Sequence, residues 1–157
     1  MSETLVDTVR RMLRYDAISG ELFWIAGKRV GKRAGYVNAD GYVKVHVNGK
    51  AVPAQKIAWM LAYGFEPNGI VDHEDRVRSN NRLANLRIAT ASQNCANSPA
   101  RNPTRMKGVS PWRRKWRAQI VVNYKVHYLG LFSTPEEANA AYMEAARAAH
   151  GEFARAA

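Results

Sequence analysis

Two spacings of apolar residues organise this chain. Leu5, Val6, Val9, Met12 and Leu13 recur at helical spacing and predict an amphipathic helix over residues 3–14, with Arg10, Arg11 and Arg14 on its polar side. Ser19-Gly20 breaks that period, and Glu21 to Ile25 reads as a strand. Tyr42 to Val47 alternates, Asn48-Gly49 has the chemistry of a type I′ hairpin turn, and Ala51-Val52 returns as the partner strand. His46, with no second ligand candidate near it, is a structural residue of this hairpin. Ile57, Ala58, Trp59, Met60 and Leu61 make a mostly apolar helix over Ala54 to Tyr63, stopped by Gly64 at the position that favours a left-handed backbone. Pro67-Asn68-Gly69 then turns the chain into Ile70-Val71-Asp72-His73. An Asn-rich turn and a second short run, Asn85-Leu86-Arg87-Ile88, follow. Thr90 with Gln93 three residues on forms a capping box, which places Asn94 in the first turns of a short helix, near its positive end.

The texture changes after Asn94. Periodicity stops, two prolines appear, and residues 98–106 read as a linker between a first module, residues 1–97, and a second, residues 107–157. Within the second, Gly108-Val109-Ser110 opens a strand and Lys115 to Val122 alternates strictly, with Trp116, Ala118, Ile120 and Val122 on one face. A turn at Asn123-Tyr124-Lys125 leads to a third run, Val126 to Phe132. Thr134, Pro135 and Glu137 then supply three helix-start signals in four residues. Ala138, Ala141, Tyr142, Ala145 and Ala149 form the expected inward stripe, and Gly151 ends the helix. The expected fold class is α+β. An N-terminal helix and β-hairpins lead into a compact strand, loop, strand, helix unit, followed by a three-stranded antiparallel sheet packed on one helix.

Composition changes this picture in one respect. At 157 residues and 46% hydrophobic the chain is long enough for two small cores. Its 24 Lys plus Arg against 13 Asp plus Glu leave a formal charge of +11, which points to a polyanion, nucleic acid before an anionic membrane surface. Residues 1–100 carry 14 basic and nine acidic groups and residues 101–157 carry ten and four, so both modules are basic. From Arg101 to Gly130 there are eight basic residues and no acidic one. The Gly-rich loop over residues 27–35 carries four positive charges and is either solvated or a phosphate track. The single cysteine, Cys95, excludes an internal disulfide framework and CxxC-type zinc sites, and nothing around it suggests an activated thiolate. No window approaches a membrane span or a signal peptide, so the expected location is the cytoplasm.

Candidate chemistry concentrates in residues 70–94. Hydrolysing a phosphodiester needs a base for water and positive charge at the phosphate, and a bound divalent ion with hard oxygen ligands can supply the charge. Asp72 offers a carboxylate and Asn94 an amide oxygen, while His73, adjacent to Asp72 but on the other side of the strand, suits proton transfer near neutrality. Asn85 can bond across the hairpin and fix the loop that presents His73. Spacing alone leaves a structural role for each of them open. Glu74 and Asp75 are alternative ligands or exposed turn carboxylates, Asn80 and Asn81 make the turn, and Arg82 and Arg87 are phosphate contacts or ordinary surface arginines.

The order Asp72-His73, Asn85, Asn94 within VDHEDRVRSNNRLANLRIATASQN resembles the HNH (ββα-metal) endonucleases, particularly the branch of phage genomes and homing elements, over a catalytic unit at residues 53–97. That resemblance implies a metal on Asp72 and Asn94, His73 as general base, Asn85 as its orienting residue, and one divalent ion, Mg²⁺ or Mn²⁺. Lys56 departs from it, standing where that branch often carries a histidine. Residues 107–154 are similar to the Apetala-two (ethylene-response-factor-like) DNA-binding domain. Lys107-Gly108-Val109, Trp116-Arg117-Ala118, Tyr128-Leu129-Gly130, Thr134 to Ala138, Ala141-Tyr142 and His150-Gly151 carry that similarity. It implies a sheet that reads duplex DNA, with Trp112, Arg113, Arg114, Lys115, Arg117, Gln119 and Tyr128 as contacts; Arg and Gln can read base edges. Trp116 is a core aromatic, and His150 a favourable charge at the helix end. The expected activity is metal-dependent cutting of double-stranded DNA by a monomer, in a host's cytoplasm if phage-encoded. The alternative is a DNA-binding regulator or accessory protein with an inactive first module.

Overall fold

The computed structural model describes residues 3–100 and 106–155. Residues 101–105 of the expected linker lie outside the described residues. The chain divides between Ile88 and Ala89 into two compact units, and the architecture is α+β, with four helices and several small sheets among the described residues.

The first unit opens with α1 (Leu5–Met12), whose start is set by Thr4: its hydroxyl accepts from the Asp7 N–H while the Asp7 carboxylate accepts from Thr4 N–H. The helix is shorter than the apolar period predicts. At Leu13 the backbone turns extended (φ −134°), and Leu13–Asp16 becomes β1, antiparallel to β2 (Glu21–Trp24). Leu13 suits either reading, because it is buried whether it closes a helix face or opens a strand; pairing with Trp24 decides. Ile25 falls outside β2 and is exposed. A short strand not foreseen, β3 (Tyr36–Val37), flanks β4 (Val43–Val47), which pairs with β5 (Lys50–Pro53) through Asn48 and Gly49, both at positive φ (48° and 78°) as the expected turn requires. Helix α2 (Ala54–Tyr63) ends where expected, with Gly64 left-handed at φ 87°.

Helix α2 joins two apolar clusters. Ile57 and Met60 are fully buried against Val9, Leu13, Leu22, Val45 and Val52, a burial worth about 1.5–3 kcal/mol for each large side chain. On another face Ala58 meets Val71 and Leu86, so the helix backs the pair formed by β6 (Ile70–His73) and β7 (Leu86–Ala89). Asn85 is not on that second strand: it closes a 3-10 turn over Leu83–Asn85 just before it.

The second unit begins with the end of β7 and α3 (Ala91–Asn97), started by the expected Thr90–Gln93 capping box. Its sheet has the order β10-β9-β8, antiparallel throughout: β8 (Val109–Trp112), β9 (Lys115–Val122) and β10 (Lys125–Phe132), with an irregularity between Tyr128 and Gly130. Asn123 and Tyr124, both at positive φ, make the β9–β10 turn. Helix α4 (Pro135–His150), capped by Thr134 and Glu137, packs Ala138, Tyr142 and Ala146 against Val109, Ala118 and Ile120, with Trp116 at the edge of this core. The inward stripe differs from expectation at its end, where Ala149 is exposed and Ala146 and His150 are buried. His150 therefore does not serve as a charge at the helix terminus. Burial, with Lys107 adding repulsion, lowers its pKa below the ordinary 6.5, against the pull of a bond involving the Val121 backbone. Lys107, itself buried, donates to the Ala96 carbonyl at the end of α3, and α3 packs against α4 and the closing 3-10 turn.

Candidate active site

Asp72 and His73 end β6 and are both buried, at 7% and 4% exposure. A buried carboxylate needs a partner, and Arg87 on β7 supplies one: its Nε donates to Asp72 Oδ2 at 3.3 Å, both side chains being almost enclosed. Arg87 is thus neither a surface phosphate contact nor an ordinary exposed arginine. It is a fixed cation beside the carboxylate.

The loop between the strands is organised by Asn85, from its own position outside β7. Its Oδ1 accepts from Asp75 N–H at 3.0 Å, while its Nδ2 donates to Asp75 Oδ1 at 2.9 Å and to the Asn80 carbonyl at 2.8 Å. The backbone joins in, Glu74 N–H donating to the Asn85 carbonyl at 2.9 Å. Asp75 is a turn organiser, accepting from Val77 N–H and Asn80 Nδ2 as well. Partial burial pushes its carboxyl up, but bonds from Asn80, Val77 and Asn85 and the nearby His73 outweigh that and hold it below the ordinary carboxylate range. Glu74 and Arg82 are exposed.

Sequence reasoning missed the immediate surroundings of the histidine. His73 Nε2 lies 2.9 Å from Asn81 Oδ1, with Asn81 buried at 2% exposure. The Tyr42 ring is tilted over the imidazole at 6.0 Å, and Arg78 stacks on Tyr42 while donating to the Asp40 carbonyl at 2.6 Å. Tyr15 O–H donates to the Asn81 carbonyl at 2.6 Å, across 66 residues of sequence. Burial first, then the charge of Asp16, raises the Tyr15 hydroxyl to about 12. No local pattern announces these partners: Tyr15 and Tyr42 come from elements distant in sequence, and Asn81, eight residues from His73, reads locally only as a turn residue. Lys56, at the position of departure, pairs with Glu66 at 2.6 Å near the surface.

In the second unit Asn94 sits half-buried one turn into α3. The register of the sheet places Trp112 beside Lys115, Ser110 beside Arg117, and Tyr128 beside Gln119. One face therefore carries Trp112, Lys115, Arg117, Gln119 and Tyr128, with Trp112 49% and Tyr128 62% exposed. Arg117 stacks over the Trp112 ring at 5.2 Å and donates to Ser110 Oγ at 3.3 Å. Arg113, at φ 54°, and Arg114 form the β8–β9 turn.

In chain order, a strand ending in a buried Asp-His pair, an Asn-fixed loop, a second strand and a short capped helix thus follow one another. The family model for HNH endonucleases matches residues 52–96, and an uncharacterized HNH endonuclease of Acanthamoeba polyphaga mimivirus is 32% identical over 127 residues, covering 80% of this chain and 67% of that protein. The chain belongs to the HNH endonuclease family. It is accordingly a nuclease, a hydrolase, and enzymes of this family act on DNA and depend on a divalent metal. Asp72 offers such an ion a hard oxygen donor, and a carboxylate has about four lone-pair sites, so the bond from Arg87 does not exhaust it. No described helix is long and apolar enough to cross a membrane.

Proposed function

We propose that Asp72 and Asn94 hold one divalent ion, Mg²⁺ or Mn²⁺, and that His73 is the general base in hydrolysis of a DNA phosphodiester. The observation that carries this reading is the pairing of neighbours on β6, a carboxylate fixed by Arg87 and an imidazole fixed by Asn81, inside the stretch matched by the family. When bound, the ion supplies positive charge to the scissile phosphate and the departing oxygen. His73 takes a proton from water, whose oxygen attacks phosphorus; the P–O3′ bond breaks, and the 3′ oxygen takes a proton from solvent. The products are a 5′-phosphate and a 3′-hydroxyl. Asn85 holds the loop that borders the base, and Arg87 keeps Asp72 aimed.

Targeting belongs, in this reading, to the cationic face of the second unit, as in the Apetala-two-like domain that residues 107–154 resemble. Arg113, Arg114, Lys115, Arg117 and Gln119 face duplex DNA with Trp112 and Tyr128, and exposed Arg82 grips phosphate near the cut. Residues 1–97 act as the cutting module and 107–157 as the reader, joined through 98–106. The enzyme works as a monomer in a host cell's cytoplasm, as a homing-type endonuclease of the phage branch. Supercoiled plasmid tests the chemistry. Cutting should require Mg²⁺ or Mn²⁺, stop with EDTA, leave ligatable ends, and fall sharply in Asp72→Asn and Asn94→Ala. Unchanged cutting in both variants would remove these residues from the metal site, and binding without any cutting would leave a DNA-binding protein.

A further inference from the structure

We propose that Asn81 is a positioning residue for His73: it fixes the imidazole with its proton on Nε2 and thereby assigns Nδ1 as the nitrogen that receives the proton from water. The inference rests on the reading of His73 as general base. Nε2 of His73 and Oδ1 of Asn81 are 2.9 Å apart, and both residues are buried. An amide oxygen only accepts, so a neutral imidazole bonded to it carries its hydrogen on Nε2 and its lone pair on Nδ1. The amide is oriented by its other end, since Nδ2 donates to the Ser79 carbonyl at 3.4 Å, and that carbonyl could not face an amide oxygen.

The backbone that carries Asn81 is held from outside the catalytic hairpin. Tyr15 O–H donates to the Asn81 carbonyl, Leu83 N–H donates to the Ala17 carbonyl at 3.1 Å, and Gly20 lies against the Asn81–Arg82 peptide so closely that a Cβ would sit 2.5 Å from Arg82 N. The turn of the β1–β2 hairpin is therefore a brace under the residue that orients the base. The two asparagines divide the work: Asn85 ties Asp75 to Asn80 and shapes the loop, while Asn81 reaches the ring. On proton transfer the water O–H bond breaks and an N–H bond forms at Nδ1. The resulting imidazolium keeps its Nε2–H on Asn81 Oδ1, a charge-assisted bond stronger than the neutral one it replaces.

Long-range ¹H–¹⁵N correlation of the histidine rings in the unmodified protein, at mildly alkaline pH, reads the tautomer directly; loss of the signal in His73→Ala assigns it. The expected result is a proton on Nε2 of His73. Asn81→Leu, close in volume but without the acceptor, should lose that preference and slow single-turnover cutting about 10- to 100-fold, with duplex affinity unchanged. Asn81→Asp, which keeps an oxygen at that place, should restore both tautomer and rate. A proton on Nδ1 in the unmodified protein, or Asn81→Leu cutting at the original rate, overturns the proposal. If Asn81→Leu fails to fold, the tautomer of the unmodified protein decides by itself. A protein with the Nε2 tautomer that cuts nothing under any divalent metal refutes the general-base reading instead, so the two failures are told apart.

Discussion

Replacing Gly20 by alanine perturbs the catalytic loop without touching a catalytic side chain. Gly20 sits at φ +78°, where an L side chain costs about 1–2 kcal/mol. Its added Cβ would lie 2.5 Å from Arg82 N and 2.6 Å from the Asn81 carbonyl carbon, both backbone atoms that no rotamer change can move aside. Ordinary contact begins near 3.5 Å, so the hairpin and the loop must part by about 1 Å, and overpacking of this kind costs about 1–3 kcal/mol more. Gly31 is the control: its φ is +81° and nothing lies within 4 Å of a Cβ built there. Gly31→Ala should then lose only the backbone term, about 1–2 kcal/mol, and Gly20→Ala a total of about 2–5 kcal/mol. A displacement of about 1 Å at a residue that orients the base costs on the order of 100-fold in rate. Urea unfolding of both variants, alongside single-turnover cutting of a duplex at saturating protein, measures the two effects. Equal midpoints with equal cutting rates would refute the claim that the β1–β2 turn braces Asn81.

Other outcomes follow from the same structure. Asn85→Ala removes three side-chain hydrogen bonds in the loop, each worth about 1 kcal/mol; cutting should fall while duplex affinity, measured by fluorescence anisotropy, stays constant. Arg114→Ala with Lys115→Ala should lower the slope of log K against log salt by about 0.9 for each phosphate that the protein no longer neutralises, and an unchanged slope would take the β8–β9 turn off the DNA. His150 is held below its ordinary 6.5 in the folded state, so the unfolded chain binds a proton first as pH falls. The second unit should therefore lose stability as pH drops below 6.5 and level off beneath the folded value. His150→Gln should flatten that limb, seen in thermal unfolding across the pH range.

Much of this molecule is written in local signals. Thr90 with Gln93, Thr134 with Glu137, Gly64 and Asn48-Gly49 each act within four residues, where capping and turn chemistry dominate, and the elements start and stop there. Leu13 is ambiguous because a buried leucine satisfies both periods, and Tyr36-Val37 forms too short a strand to alternate visibly. At the site, Asp72, His73, Asn85 and Asn94 stand out through their order in the chain. Their partners do not: Arg87 reaches Asp72 across the strand pair, Asn81 turns in on His73 from within a loop that reads only as a turn, and Tyr42 at the ring and Tyr15 at the Asn81 carbonyl arrive from distant hairpins. His150 misleads for a related reason, since its position at a helix end suggests a charge and only the packing of α4 on the sheet reveals its burial.

The decisive measurement compares unmodified protein with His73→Ala on one supercoiled plasmid with Mg²⁺ present, with duplex affinity measured in parallel. Loss of a proton-accepting side chain should slow strand cutting by about 100- to 10,000-fold while affinity stays the same. Equal cutting by the two proteins would contradict the assignment of His73 as the base.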